Sequence, residues 1–148
     1  QAHLNLGAVL KDLGQLKNAE VSIRKSIELK PDLFNSHFLL GTILIGQKKL
    51  EEAEKSLRKT IELKPDWAEA HLNLGAVLEE LGELQNAEVS IRKSIKINPD
   101  LPQAHGTLGN LLTTLGKTDE AFQEYLKVYK INPKLSYIYP LIGSFLKL

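Results

Sequence analysis

Prolines recur at Pro31, Pro65, Pro99 and Pro133, a step of 34 residues, and each closes a similar phrase: IELKP, IELKP, IKINP and YKINP. A period of this length constrains the chain more than any other feature. It makes the folding unit a supersecondary element too small to bury its own apolar face, so units must stack. Histidines keep the same step at His3, His37, His71 and His105, as do Leu6-Gly7, Leu40-Gly41, Leu74-Gly75 and Leu108-Gly109. Ala19, Ala53, Ala87 and Ala121 complete the register. Ala2–Asp32 and Ala70–Asp100 agree at 24 of 31 positions at an offset of 68, two periods, so duplication of a two-unit block is the simplest account.

Within each unit the apolar spacing is helical. Leu6, Val9, Leu10 and Leu13 fall on one stripe of a first helix, and Ala19, Ile23, Ile27 and Leu29 form the stripe of a second. Gly14, Gly82 and Gly116 sit where a helix ends on a left-handed residue; Lys48 holds that place in the second unit, so that turn is expected to be costlier or differently shaped. Asp66-Trp67-Ala68-Glu69 and Asp100-Leu101-Pro102-Gln103 read as capping boxes. Glu20–Arg24, Glu54–Arg58 and Glu88–Arg92 have the spacing of favourable ion pairs on the second helices. Gly7, Gly41, Gly75 and Gly109 lie inside helices, where each costs about 1 kcal/mol in propensity. Repetition in register points to a packing reason: close approach of the two helices, with Ala19 and its equivalents facing the glycine.

This pattern resembles the tetratricopeptide repeat family. His3-x-x-Leu6-Gly7-x-x-Leu10, Ala19-x-x-x-Ile23 and Pro31 follow the family frame, and three further registers repeat it. Histidine and aliphatics stand where the family prefers aromatics. The resemblance implies an all-α fold, a right-handed superhelical solenoid of antiparallel helix pairs. It divides the chain into four repeats over residues 1–135 (about 1–33, 34–67, 68–101 and 102–135). Residues 136–148 are then a partial fifth repeat or a C-terminal capping helix. That last segment, SYIYPLIGSFLKL, is very apolar for a cap. Either the array is cut short there or the edge pairs with a second copy, which leaves a homodimer through this segment open.

Composition removes several functions. Nineteen basic against eighteen acidic residues leave a net charge of +1, which gives no field to attract nucleic acid or an anionic membrane surface. No apolar run approaches a membrane span. With no cysteine there is no disulfide, thiolate metal site or cysteine nucleophile. The compartment stays open, with the cytoplasm as the default expectation. Methionine is absent even at position 1, so the chain is expected to be an excerpt of something longer.

The four histidines do not read as a metal site, because packed helices lie about 8–10 Å apart and equivalent rings cannot share one ion. They read as half-buried rings between a first helix and the preceding second helix. A neutral buried imidazole there has a lowered pKa, so acid is expected to destabilise the array. Glu51-Glu52 and Glu79-Glu80 lie among solvated residues, and no serine has a base set beside it by a recognisable motif, so no catalytic residue is named. Arg24-Lys25, Arg58-Lys59 and Arg92-Lys93 form a recurring basic ridge, read as a solvated face neutralised by neighbouring glutamates.

The resemblance also implies that first helices line a concave groove that holds peptides. Carried over, the groove residues are Leu4, Asn5 and Lys11; Phe38, Leu39, Thr42 and Ile45; Glu69, Leu72, Asn73, Glu79 and Glu80; and Thr107 and Asn110. The basic clamp with which chaperone-binding members read a C-terminal carboxylate is missing. Asn5 and Asn73 match part of the asparagine ladder that other members use for ligand main chain, and Leu39 and Thr107 break it. Phe38, Leu39 and Ile45 suggest an apolar pocket at mid-groove, unless they fold inward against the neighbouring repeats. The expected function is a protein–protein interaction scaffold that binds a peptide or partner segment, with no catalysis and no cofactor. A substrate-recruiting arm of a larger bacterial transferase and a self-associating structural module remain as alternatives.

Overall fold

The structure, a computed structural model, describes residues 1–134, 142 and 143. Among these residues there are eight α-helices and no strand: α1 (Ala2–Asp12), α2 (Leu16–Leu29), α3 (Phe34–Gly46), α4 (Leu50–Leu63), α5 (Ala68–Glu80), α6 (Leu84–Ile97), α7 (Pro102–Thr114) and α8 (Thr118–Ile131). Turns of three residues join α1 to α2, α3 to α4, α5 to α6 and α7 to α8, too short for anything but antiparallel neighbours. Each pair then packs on the next, α2 on α3, α4 on α5 and α6 on α7, so the core runs the length of the array.

The turns inside the pairs share one geometry. Gly14, Gly82 and Gly116 have φ of +73, +82 and +74°, and Lys48 adopts φ of +59° in the same place. The next N–H reaches back to the helix: Gln15 to the Leu10 carbonyl at 2.9 Å, Lys49 to Leu44 at 2.9 Å, Glu83 to Leu78 at 2.8 Å and Lys117 to Leu112 at 2.8 Å. The turn at Lys48 therefore keeps the common shape. Its cost is that of a left-handed residue with a side chain, about 1 kcal/mol.

The capping boxes do not form. α5 and α7 start after Trp67 and Leu101, not after Asp66 and Asp100, and no side chain caps either helix. The reason is the half-buried apolar residue at each cap, which holds the chain extended one residue beyond the aspartate; Asp66 and Asp100 stay in solvent. Pro102 sits within the first turn of α7, where the lack of an N–H does no harm.

Close approach explains the in-register glycines. A Cβ on Gly75 would lie 2.5 Å from Ile91 Cγ1 and 3.2 Å from the Ala87 carbonyl oxygen; one on Gly41 would lie 2.9 Å from Leu57 Cγ. Gly7 and Gly109 are crowded in the same way by Ile23 and Tyr125. The large second-helix side chain, more than the alanine, fills the space that the glycine vacates.

Two expectations on burial are corrected. Leu6, Val9 and Leu13 are 49, 56 and 66% exposed, because among the described residues no second helix packs in front of α1. Leu29 is exposed as well, at the last position of α2. Ile142 and Gly143 are helical, and Ile142 packs against the core, one period after Leu108. The remaining expectations for residues 136–148, including pairing with a second copy, lie outside the described residues.

Gly75→Ala is expected to lower stability by about 1–3 kcal/mol in urea unfolding although alanine is the better helix former, because the crowding at Ile91 outweighs propensity. Lys48→Gly is expected to raise stability by about 1 kcal/mol by removing the left-handed strain; the exposed Lys48–Glu80 pair it loses contributes little. An unchanged denaturation midpoint in either variant contradicts the account.

Candidate functional site

Which side of the array is concave follows from spacing. The backbones of α1 and α3, α3 and α5, and α5 and α7 come close, whereas among the described residues no two second helices approach each other so nearly and they meet only through long side chains. First helices are closer together and so lie on the inner wall. Their register sets the rows of that wall. Leu4, Phe38 and Leu72 form one row, and Asn5, Leu39, Asn73 and Thr107 the next. A further row holds Thr42 and Asn110; another runs Lys11, Ile45 and Glu79.

Leu4, Phe38, Leu39, Ile45 and Leu72 are half-buried and lean on the core. Asn5, Glu69, Glu80 and Asn110 are exposed, and Asn73, Thr107, Thr42, Lys11 and Glu79 are half-buried. Phe38 does not stand free. Its ring lies 4.2 Å from that of Trp67, and Phe34 meets Trp67 edge-on at 5.3 Å. Lys64 Nζ covers the Phe34 ring at 4.9 Å, a cation over an aromatic face. Trp67 was missed by the sequence reasoning. Its signal was available: Trp67 stands where Leu33 and Leu101 stand in the other units, one period from each.

Several polar groups of the wall are already engaged. The Thr42 hydroxyl donates to the Leu39 carbonyl at 2.8 Å, and Asn110 Oδ1 accepts from the Tyr125 hydroxyl at 2.9 Å. Lys48 pairs with Glu80 at 2.9 Å, and Lys11 with Asp12 at 3.5 Å. Burial, with the neighbouring Glu80 charge, pushes the Glu79 carboxyl above its ordinary value. Asn5 Oδ1 accepts from the Gln1 amide at 3.4 Å, and the Asn73 amide can both donate to and accept from a peptide group.

The histidines hold the joints. Nε2 of His37, His71 and His105 lies 2.7, 2.9 and 2.8 Å from the carbonyl oxygens of Pro31, Pro65 and Pro99. Each ring thereby ties a first helix to the turn that precedes it. His105 makes a second contact: Nδ1 lies 2.6 Å from Glu124 Oε2. An acceptor at both nitrogens favours the imidazolium form of the ring. The bond to Glu124 holds its pKa above the ordinary value, against the opposing effect of burial. Burial works against the Glu124 carboxylate, but bonds from His105 and Lys127 outweigh it and hold the carboxyl below its usual range. The expectation of a neutral ring with a lowered pKa is therefore wrong at His105. It missed a carboxylate nineteen residues away. Among the described residues no group of three or more His, Asp or Glu side chains could hold a metal ion.

The basic ridge is neutralised as expected at every place but Lys93. Arg24, Arg58 and Arg92 pair with Glu20, Glu54 and Glu88 at 2.7–2.8 Å. No helix of the described residues is long and apolar enough to cross a membrane.

A tetratricopeptide repeat model matches residues 1–33, 68–101 and 102–135, and a TPR repeat model matches residues 41–82. No curated protein matches the sequence. Among solved structures, the crystal structure of MamA is 26% identical with a TM-score of 0.86, covering 93% of this chain and 80% of that one. TTC0263, a thermophilic TPR protein in Thermus thermophilus, is 25% identical with a TM-score of 0.83, covering 99% of this chain and 81% of that one. YrrB, described as a TPR protein with an unusual peptide-binding site, has the same fold at 20% identity, with a TM-score of 0.80 over 96% of this chain and 73% of its own.

The His105–Glu124 pair has a defined pH signature. The raised imidazole value gives stability that is present below the ordinary histidine pKa and is lost as pH rises through the folded value. The lowered carboxyl value gives stability that is present above the ordinary carboxylate pKa and is lost as pH falls through the folded value. The melting-temperature difference between the protein and His105→Phe is therefore expected to be largest at about pH 5–6, between the ordinary carboxylate and imidazole values, and to shrink as pH rises above the ordinary imidazole value. A difference that stays constant over that range contradicts the ion pair.

Proposed function

Because the chain belongs to the tetratricopeptide repeat family, we propose that it is a protein-interaction scaffold. It binds a peptide or partner segment along its inner wall and carries out no chemistry of its own. It uses neither nucleic acid nor a membrane as partner. The observation that carries this reading is the row Leu4, Phe38 and Leu72, half-buried and facing the inside of the array, beside Asn5, Leu39 and Asn73. Apolar side chains on a concave wall favour apolar anchors of a guest. The two amides suit its main chain without reading side chains. Thr107 and Asn110 extend the wall at one end. Glu69, Glu79 and Glu80 make its third pair acidic, which suits a guest with a basic end.

A second reading, self-association, has its own support in the exposed stripe Leu6, Val9 and Leu13 of α1. Sedimentation over a range of protein concentrations separates the two readings, because the scaffold reading needs no concentration dependence.

Peptides selected from a random library on the intact protein are expected to bind the wall. Asn73→Ala should weaken them about tenfold, the loss of one amide–main-chain hydrogen bond to a buried partner. Ile45→Asp should abolish capture with the far-ultraviolet circular dichroism unchanged. Val21→Asp, on a second helix, should leave affinity as it is. Selected peptides that bind equally to all these variants refute the groove.

A further inference from the structure

In the fourth pair the Glu124 carboxylate is gripped from both sides. One oxygen lies 2.6 Å from His105 Nδ1, and the other accepts a hydrogen bond of 2.7 Å from Lys127 Nζ. One period earlier the same places hold His71, Ser90 and Lys93. The two cationic or cation-forming partners are kept, and the carboxylate between them is replaced by a short hydroxyl. At that point a hollow of about 460 Å³ opens between α4, α5 and α6, with His71, Ser90 and Lys93 in its wall.

His71 lacks the second partner that His105 has, and Lys93 lacks the partner that Lys25, Lys59 and Lys127 have. His71 is only 8% exposed, and its Nε2 is bound to the Pro65 carbonyl, but Nδ1 has no hydrogen-bond partner. Lys25 pairs with Glu28, Lys59 with Glu62 and Lys127 with Glu124, each three residues away and each at 2.7 Å. Lys93 has Lys96 where the first two have glutamate, and it forms no ion pair among the described residues. The other charges on the hollow are spoken for. Arg58 on α4 pairs with Glu54, and Glu62 on α4 pairs with Lys59, which leaves the charge of Lys93 unbalanced.

At this joint no ion pair ties one second helix to the next among the described residues. Between α2 and α4, Arg24 reaches Glu52 and Lys49 reaches Glu20; between α6 and α8, Arg92 reaches Glu120 and Lys117 reaches Glu88. Between α4 and α6 the matching places hold Glu83 and Asn86, which bond to each other at 2.8 Å and do not cross the joint. Apolar surface completes the hollow: Ile61, Leu74 and Val89, the last 69% exposed.

We propose that this hollow binds a carboxylate carrying a short apolar tail. The carboxylate sits on His71 Nδ1, Lys93 Nζ and the Ser90 hydroxyl, as Glu124 sits on His105 and Lys127, and the tail lies on Ile61, Leu74 and Val89. None of the inner-wall residues lines the hollow, so the site is separate from the groove. Nε2 of His71 is held by the Pro65 carbonyl, which leaves Nδ1 as the ring nitrogen for the guest. The groups that face the ring across the hollow are Arg58 and Glu62 from α4 and Lys93 from α6.

The test is titration of the whole chain by proton–nitrogen correlation spectra with isocaproate, N-acetyl-leucine and N-acetyl-leucinamide. The acids are expected to shift the His71 ring and the Ser90 and Lys93 amides saturably, and the neutral amide is not. Lys93→Gln should weaken binding about tenfold. Ser90→Glu should abolish it and raise the melting temperature, because it rebuilds the fourth-pair arrangement. Tighter binding of N-acetyl-leucine would identify a peptide C-terminus as the natural guest, and tighter binding of isocaproate a free acid. Signals unmoved by either acid up to about 50 mM, an amide that titrates as well as the acids, or a Ser90→Glu variant that still binds would overturn the site.

Discussion

The separation of the two helices in each pair is set where a glycine of the first meets the bulkiest side chain of the second. Ile23, Leu57, Ile91 and Tyr125 are all at most 2% exposed, and each fills the space that a Cβ on Gly7, Gly41, Gly75 or Gly109 would need. The penalty of a glycine inside a helix is offset by close packing of two buried surfaces. The contact also reaches the inner wall. Where the side chain is Tyr125, its hydroxyl donates to Asn110 and lies 3.2 Å from the Thr113 hydroxyl, so the wall of the fourth pair is tied to the core in a way the aliphatic pairs cannot match.

Stacking between pairs obeys a second rule. A histidine ring bonds the carbonyl of the preceding proline, which fixes each first helix against the turn before it. Histidine serves here where the family prefers an aromatic because it offers a flat ring and an N–H together. The rest of each joint is free to vary. Ion pairs link the second helices across the outer two joints, whereas the middle joint is crossed only by Lys48 and Glu80 among the described residues, and the carboxylate present at His105 is missing at His71. The periodic positions thus make the frame, and the departures from period make the chemistry.

That division explains what could be read beforehand. The helix pairs, their turns, the glycine contacts and the i,i+4 ion pairs were legible because each is local or repeats in register. The caps at Asp66 and Asp100 misled because the buried neighbours Trp67 and Leu101 take the cap position, a tertiary effect that overrides a local motif. The protonation of His105 was hidden by a single departure: Glu124 stands where Ser22, Ser56 and Ser90 stand in the other units. On the inner wall the rows were readable, but the contact of Phe38 with Trp67 was not, because it spans two units and the equivalents of Trp67 are the leucines Leu33 and Leu101.

The duplicated segments separate what sequence determines from what a neighbour determines. Leu6 and Leu74 are equivalent residues in nearly identical surroundings of sequence, yet one is 49% exposed and the other 4%. Val9 and Val77 differ in the same sense, at 56 and 1%. The whole difference comes from α4, which packs in front of α5, while α1 has nothing in front of it among the described residues. Burying a leucine or valine side chain fully contributes about 1.5–3 kcal/mol, so α1 forgoes several times the thermal energy that α5 gains from the same residues. In an array whose stability is a sum of units and nearest-neighbour interfaces, the same residues therefore contribute different amounts according to whether a second helix packs in front of them.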